Sequence, residues 1–104
     1  MISIVIPVFN EEESLKALMG EIQESTAQAG LEYEVIFVDD GSKDSSWKVI
    51  TELSQEHEQV QGIRFRRNFG KAAALSAAFQ SSKGDLIMTL AADLQDDPAE
   101  IPRF

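Results

Sequence analysis

The chain has no cysteine among its 104 residues and only one histidine, His57. The lack of cysteine excludes disulfide bonds and thiolate metal sites, and it is compatible with a reducing compartment. With a single histidine, which we expect to be solvated on a helix, no convincing Ser-His-Asp site can be built. The chain also lacks any apolar run near the ~18–20 residues that a membrane span requires. A chain of this length is one small domain at most, or a piece of a larger one.

Basic residues are scarce as well. Nine lysines and arginines stand against 18 aspartates and glutamates, which gives a net charge of −9. That balance argues against a general surface for nucleic acid or anionic membranes, so we expect no nucleic-acid partner. The first residues, "MISIVIPVF", have neither a basic region nor a small-residue cleavage site, so they predict a strand rather than a signal peptide. We therefore expect a cytoplasmic location.

Four short apolar runs recur at regular spacing and predict strands over residues 2–8, 33–39, 60–65 and 85–91. They are rich in valine, isoleucine and phenylalanine, and segments such as "IVI" and "VIFV" hardly alternate with polar residues. Near-continuous apolar runs are typical of strands that are buried on both faces of a sheet.

Helical patterns lie between these runs. The first is predicted to begin at Asn10 as an N-cap, with Glu13 completing a capping box, and to end at Gly30. Three more helices are predicted to begin at residues 44–46, at Lys71 and at Pro98. The resulting order, β-α-β-α-β-α-β, predicts an α/β fold with a Rossmann-like parallel sheet. In such folds ligands bind at the carboxyl ends of the strands.

Each predicted strand is followed by a polar segment: "PVFNEEE", "DDGSKDSS", "RRNFGK" and "AADLQDDP". Any one of them has an ordinary structural explanation, since Asp-Gly-Ser is a common turn and Asn-Glu-Glu a common helix start. Four polar segments at one edge of a sheet instead indicate a binding site. Trp47 and the phenylalanines are interpreted as core residues rather than as stacking platforms.

The chemistry of these segments is complementary. Asp39 and Asp40 can accept hydrogen bonds from a base or from ribose hydroxyls, and Arg67 and Lys71 can meet phosphates, with Gly70 permitting close backbone approach.

Asp93 and Asp96 are hard oxygen ligands suited to Mg²⁺ or Mn²⁺, which would bridge to a diphosphate. Together these groups indicate a nucleotide-diphosphate donor. The nearest rival, a dinucleotide-binding domain, needs G-x-G-x-x-G after the first strand, where "PVFNEEE" has no glycine, and a Walker P-loop is also absent.

The segments "VIPVFNEEESL", "VDDGSKDSSW", "RNFGKAAALSAAF" and "GDLIMTLAADLQDDPAEIP" together resemble the family 2 inverting glycosyltransferases of GT-A fold. The similarity is greatest to the polyprenol-phosphate glycosyltransferases, such as dolichol-phosphate mannose synthase and the bactoprenol glucosyl- and aminoarabinosyl-transferases. It extends over the whole chain, in order and with the expected spacing. Such enzymes move a sugar from a UDP or GDP donor to a polyprenyl phosphate at the cytoplasmic face of the membrane.

The resemblance implies roles for individual residues. The nucleoside pocket would be lined by Pro7, Phe9, Glu11, Asp39 and Asp40. Arg67 and Lys71 would lie near the phosphates, Asp93 would hold the metal, and Gln95 and Asp96 would lie at the donor-sugar and diphosphate end.

The chain departs from the family pattern in two ways. The family usually reads D-A-D-L-Q, and here Ala91 stands at the first aspartate, so Asp93 would hold Mg²⁺ or Mn²⁺ largely alone among side chains. A full GT-A domain also needs roughly twice this length. We therefore expect residues 1–104 to be the donor-binding N-terminal part of a truncated enzyme, with the catalytic base beyond Phe104.

Two consequences follow for the isolated chain. It should bind nucleotide without transferring sugar, and it should self-associate, because the apolar strand "LIMTL" would normally be covered by later elements. The alternative is a non-catalytic nucleotide-binding or interaction module derived from the same fold.

Overall fold

The computed structural model of the protein describes residues 1–92. Four strands and three helices alternate in the predicted order. Their bounds are β1 Ile2–Val8, α1 Leu15–Ala29, β2 Tyr33–Asp39, α2 Ser46–Glu56, β3 Val60–Arg64, α3 Lys71–Ser81 and β4 Leu86–Thr89. The predicted helix at Pro98 lies outside the described residues.

All four strands run parallel, in the spatial order β3-β2-β1-β4. From β1 the chain first moves to β2 and β3, and it then crosses back to place β4 on the other side of β1. The chain thus leaves β1 toward β2, whereas it later enters β4 on the opposite side of β1. Such a topological switch point opens a crevice at the carboxyl ends of the two strands, where open α/β sheets bind ligands.

Helices cover both faces of the sheet, which explains the near-continuous apolar runs. Ile4 and Ile6 of β1 pack in the core cluster that contains the buried residues of α1 and α2. Val5 of the same strand belongs to a second cluster with Ala74 and Ala78 of α3. The alternation places α1 and α2 on one face and α3 on the other. Alanines at the contact let α3 lie close to the sheet.

The start of the first helix differs from the prediction. Helix α1 begins at Leu15, and Asn10 lies in the preceding loop with a φ of +54°. The Asn10 side chain accepts a hydrogen bond from the backbone of Lys43, 2.8 Å away, so it is used in a contact between loops rather than as a cap. The helix ends as predicted at Gly30, whose φ of +65° is left-handed.

The entry to β4 is fixed at the amino-terminal edge of the sheet, opposite the crevice. The Ser3 hydroxyl donates to Glu34 at 2.5 Å and accepts from the backbone of Gly84 at 2.8 Å. A Cβ at Gly84 would come within 2.7 Å of the backbone nitrogen of Ser3, so only glycine fits. These contacts hold β4 in register with β1.

Beyond β4 no described strand extends the sheet, and its Leu86 and Ile87 side chains are exposed. They form the apolar edge on which the expectation of self-association rests. Within residues 1–92, none of the helices is long and apolar enough to cross a membrane.

Two interpretations of single residues require correction. Phe9, Phe69 and Phe79 are exposed rather than buried in the core, although Trp47 does pack against it. His57 follows α2 instead of lying within it, and its ring is half-buried, 3.2 Å from the side-chain nitrogen of Gln23.

Candidate functional site

A cavity of about 420 Å³ lies at the topological switch point. This volume is in the range of small-molecule binding sites. Its walls come from the carboxyl ends of β1, β2 and β4 and from the start of α3. The lining residues are Pro7, Val8, Phe9, Glu11, Asp40, Asn68, Gly70, Lys71, Thr89, Leu90, Ala91 and Ala92.

Five of the seven predicted nucleotide-binding residues therefore lie together at one cavity: Pro7, Phe9, Glu11, Asp40 and Lys71. Sequence reasoning did not select Asn68, Thr89 and Leu90 as site residues. Their only signal was position, since each follows a strand or ends one.

Asp39 and Asp40 are consecutive but have different surroundings. Asp40 lines the cavity, whereas Asp39 is absent from its lining and is fully buried. Successive residues of a strand point to opposite faces, which separates the two carboxylates. One oxygen of Asp39 accepts the backbone N–H of Ser42 at 2.9 Å. Its other oxygen is buried without a hydrogen-bond partner among the described residues.

Asp40 holds the loop before α3 against the cavity. Its two carboxylate oxygens accept the backbone N–H groups of Phe69, at 2.7 Å, and of Gly70, at 3.0 Å. A carboxylate has about four acceptor positions, so these bonds leave some capacity for a ligand. Asp40 is thus first a structural anchor of the cavity wall.

The loops after β2 and β3 cross in close contact beside the cavity. Gly41 has a φ of +76°, and a Cβ there would come within 2.5 Å of the backbone nitrogen of Asn68. Arg67, next to this crossing, does not line the cavity. Its guanidinium carbon lies 4.8 Å from the centre of the Phe69 ring. Lys71, by contrast, lines the cavity from the first position of α3, where helix N–H groups favour anions.

The loop after β1 is tied to the loop after β2 and to the first residue of α2 by four hydrogen bonds. Asn10 donates its N–H to the Ser42 hydroxyl at 2.9 Å and accepts from the Lys43 N–H at 2.8 Å. The Glu11 N–H donates to the Ser46 hydroxyl at 3.0 Å. The fourth bond runs from the Glu12 N–H to Asp44 at 3.2 Å. We call this set of contacts the loop clasp; it fixes the backbone of Glu11 at the cavity wall.

Asp44 completes the loop clasp by also accepting the Ser46 N–H at 2.9 Å. Burial acts to raise the pKa of Asp44, but hydrogen bonds from the Ser46 hydroxyl and from the amides of Ser46, Glu12 and Asp44 itself outweigh it. The pKa of Asp44 is therefore lowered from its ordinary value of 3.8.

The predicted metal ligand lies outside the described residues, as do Gln95 and Asp96. Within residues 1–92 no three histidine, aspartate or glutamate side chains are grouped for a metal ion. Two carboxylates line the cavity, those of Glu11 and Asp40, and the two oxygens of the Asp40 carboxylate already accept two N–H groups. These donors do not form a metal centre by themselves, and the expected metal ligand Asp93 directly follows the lining residue Ala92 in the sequence.

Comparison with known proteins gives a family match. The sequence profile of Glycosyl transferase family 2 matches residues 3–104. The undecaprenyl-phosphate 4-deoxy-4-formamido-L-arabinose transferase of Aeromonas hydrophila subsp. hydrophila is 46% identical over 105 aligned residues, which cover 100% of this chain. The transferase of the same name from Proteus mirabilis is 48% identical over 104 residues, covering 99% of it. The chain spans 32% of the length of each relative.

Two solved structures share the fold. A mannosyltransferase from Pyrobaculum calidifontis, in complex with GDP-Man and Mn²⁺, superposes with a TM-score of 0.78 at 22% identity, covering 88% of this chain and 27% of that one. Residues 1–349 of S. aureus TarS in complex with UDP-GlcNAc give a TM-score of 0.73 at 20% identity, covering 88% and 26%. The parallel sheet with alternating helices described above is thus the fold of known sugar transferases.

Proposed function

Because the chain belongs to glycosyl transferase family 2, we propose that it forms the donor-binding part of a GT-A enzyme that transfers a sugar from UDP or GDP to a polyprenyl phosphate. The observation that carries this proposal is the cavity at the switch point, which brings Glu11, Asp40 and Lys71 together. The carboxylates can accept hydrogen bonds from a nucleoside, and a lysine at a helix start suits its diphosphate.

Each lining group has a role in this proposal. Pro7 and Phe9 provide an apolar surface for the base, and Glu11 and the remaining acceptor positions of Asp40 take hydrogen bonds from the nucleoside. Lys71 and the amide end of α3 hold the diphosphate, which is the leaving group. Buried Asp39 would support the wall from behind, and Arg67 would reach the phosphates only by leaving Phe69.

Mg²⁺ or Mn²⁺ would be held by Asp93, and when bound it would neutralise charge on the diphosphate. Ala91 places a methyl group in the cavity wall where a second carboxylate would otherwise stand. The chain's own contribution near the phosphates is therefore the positive charge of Lys71. Inversion also needs a base that acts on the acceptor, and we place that base beyond Phe104.

The names of the two relatives suggest the lipid acceptor and the sugar that is transferred. Both are named for undecaprenyl phosphate and for 4-deoxy-4-formamido-L-arabinose. We infer that the whole protein uses an acceptor of that lipid class at the cytoplasmic face of a membrane, and that this sugar is the first donor group to test.

The proposal is tested by calorimetry with UDP and GDP, each with and without Mn²⁺. One of the two nucleotides should bind, more tightly with the metal. Lys71→Gln should weaken binding about ten-fold, since a charge-assisted hydrogen bond is lost. Lys16→Gln, a matched change on the exposed surface of α1, should have no effect. If neither nucleotide binds at any reachable concentration, the proposal fails.

The alternative, a non-catalytic nucleotide-binding module, predicts the same binding. The enzyme and the non-catalytic module predict different activities for a longer protein that contains this chain together with any acceptor region. Sugar transfer to a short polyprenyl phosphate by that protein supports the enzyme, and its absence with intact nucleotide binding supports the module. The 104-residue chain alone should transfer no sugar under either reading, because positioning of both substrates is required for the reaction.

A further inference from the structure

The net charge of −9 conceals an uneven distribution of charge along the chain. Residues 59–84 contain five of the nine basic residues and none of the 18 acidic ones. This segment forms β3, the loop after it and α3. Four of its basic residues, Arg64, Arg66, Arg67 and Lys71, fall within eight positions. One region of an acidic protein is therefore strongly basic.

Within this region a basic cleft of about 290 Å³ lies where β2 and β3 end. Its lining residues are Gly41, Ser42, Arg64, Phe65 and Arg66. The cleft is separate from the nucleotide cavity, because no residue lines both. The two are neighbours, because Gly41, which lines the cleft, crosses closely over the backbone of Asn68, which lines the nucleotide cavity.

Aromatic contacts flank the cleft on both sides of the end of β3, because Arg64 packs on the α2 face of the sheet and Phe65 on the α3 face. Arg64 lies over the Trp47 ring, 5.6 Å from its centroid. Phe65, in the cleft wall, packs edge to face against Phe69, with their ring centroids 5.6 Å apart, and Arg67 lies over the Phe69 ring. Phe69 itself is 54% exposed. We call Arg64, Phe65, Arg66, Arg67 and Phe69 the basic face.

In the described part of the chain, the arginines of the basic face are not neutralised by an ion pair. Within residues 1–92 the ion pairs involve only the amino terminus with Asp85 and His57 with Glu56. Stacking on aromatic rings restricts Arg64 and Arg67 without using their N–H groups, which stay available for an anionic oxygen. An exposed phenylalanine beside unpaired arginines is the composition of surfaces that lie at a bilayer interface.

We propose that the basic face docks the protein on an anionic phospholipid bilayer, with a lipid phosphate in the cleft between Arg64 and Arg66 and Phe69 in the headgroup region. The choice of a bilayer rests on the proposed function, whose acceptor is a membrane lipid. Two carboxylates adjoin the basic face, since Asp40 accepts the Phe69 N–H and Asp39 accepts the Ser42 N–H, but both are buried. Exposed acidic groups more than about 8–10 Å away are largely screened at physiological salt. Docking here would bring the neighbouring nucleotide cavity close to the lipid.

The test is flotation of the protein with phosphatidylcholine vesicles, with and without phosphatidylglycerol. Binding should require phosphatidylglycerol, weaken with salt, and alter the fluorescence of Trp47, the only tryptophan. Each basic residue near an anionic bilayer strengthens binding about five-fold, so Arg64→Gln with Arg66→Gln should weaken it about 30-fold. The matched control is Lys16→Gln with Lys48→Gln, which removes the same charge from α1 and α2 and should change binding little.

Circular dichroism and nucleotide calorimetry on the same variants separate docking from folding and from the nucleotide site. Both measurements should be unchanged in the double arginine variant. Docking is overturned if the protein ignores anionic vesicles, if both double variants lose binding equally, or if inorganic phosphate or an RNA oligonucleotide binds as tightly as the vesicles. Vesicle binding without any nucleotide binding would leave docking standing and remove the proposed function.

Discussion

Replacing Asp40 with alanine should destabilise the protein more than any ordinary surface substitution. Asp40 is only 5% exposed, and its carboxylate accepts the N–H groups of Phe69 and Gly70 at 2.7 and 3.0 Å. Alanine removes both acceptors and leaves two backbone donors beside a small void. The loop before α3 then loses its attachment to the end of β2.

The size of the effect follows from those two bonds. A hydrogen bond to a charged acceptor contributes about 1.5–3 kcal/mol, and the loop is partly exposed, so water replaces part of the loss. We expect the free energy of unfolding to fall by about 2–4 kcal/mol, a large share of the roughly 5–15 kcal/mol of a typical domain. Asp40→Asn keeps one acceptor oxygen and turns an NH₂ group toward the second amide, so its loss should be intermediate.

Urea denaturation followed by circular dichroism measures these differences. Asp85→Ala is the control, because that carboxylate is 96% exposed and, among residues 1–92, pairs only with the amino terminus at 3.3 Å. It should change stability little. Hydrogen exchange at the Phe69 and Gly70 amides should accelerate in Asp40→Ala before global unfolding does. If Asp40→Ala is as stable as Asp85→Ala, the carboxylate does not anchor the loop.

Three further predictions follow from the site. Gly41→Ala should lower the free energy of unfolding in urea by about 1–3 kcal/mol, because residue 41 has a positive φ and contacts the crossing backbone. The control Gly20→Ala, in the middle of α1 with open space around it, should raise that free energy by about 0.5–1 kcal/mol. Equal effects of the two substitutions would refute the close crossing at Gly41. Asp44→Ala should destabilise the protein above pH 3.8, because the charged carboxylate is stabilised by hydrogen bonds only in the folded state. The difference in stability from wild type should shrink as pH falls through the lowered pKa of Asp44. A difference that persists at lower pH would contradict the loop clasp. Asp93→Asn should abolish Mn²⁺-dependent nucleotide binding in calorimetry while Ala91→Asp preserves or tightens it, and unchanged binding in Asp93→Asn would refute the metal assignment.

Much of the fold was predictable because its signals are local. Near-continuous apolar runs such as "VIFV" located the strands, and the alternation with helical patterns gave the parallel sheet. The switch point between β1 and β4 depends on which side of β1 the last strand joins, and no local pattern encodes that choice.

The errors come from contacts between residues distant in sequence. Asn10 has the chemistry of an N-cap, but its partners in the loop clasp lie 32 and 33 residues away, and they hold it in a left-handed conformation. Strand alternation already implied that Asp39 and Asp40 point to opposite faces. The cluster of basic residues in the basic face is also present in the sequence, but the net charge of the whole chain does not reveal it.

The location of the bound nucleotide distinguishes the switch-point cavity from every other surface of the protein. Amide chemical shifts of the isotopically labelled protein, recorded during titration with UDP and then GDP in the presence of Mn²⁺, locate that site without an activity assay. We predict that the largest changes occur at the amides of residues 8–11, 68–71 and 89–92, three segments that contribute to the lining of the cavity at the switch point. Unchanged shifts in these three segments at saturating nucleotide, or larger changes around Ser3 and Gly84 at the opposite edge of the sheet, would contradict it.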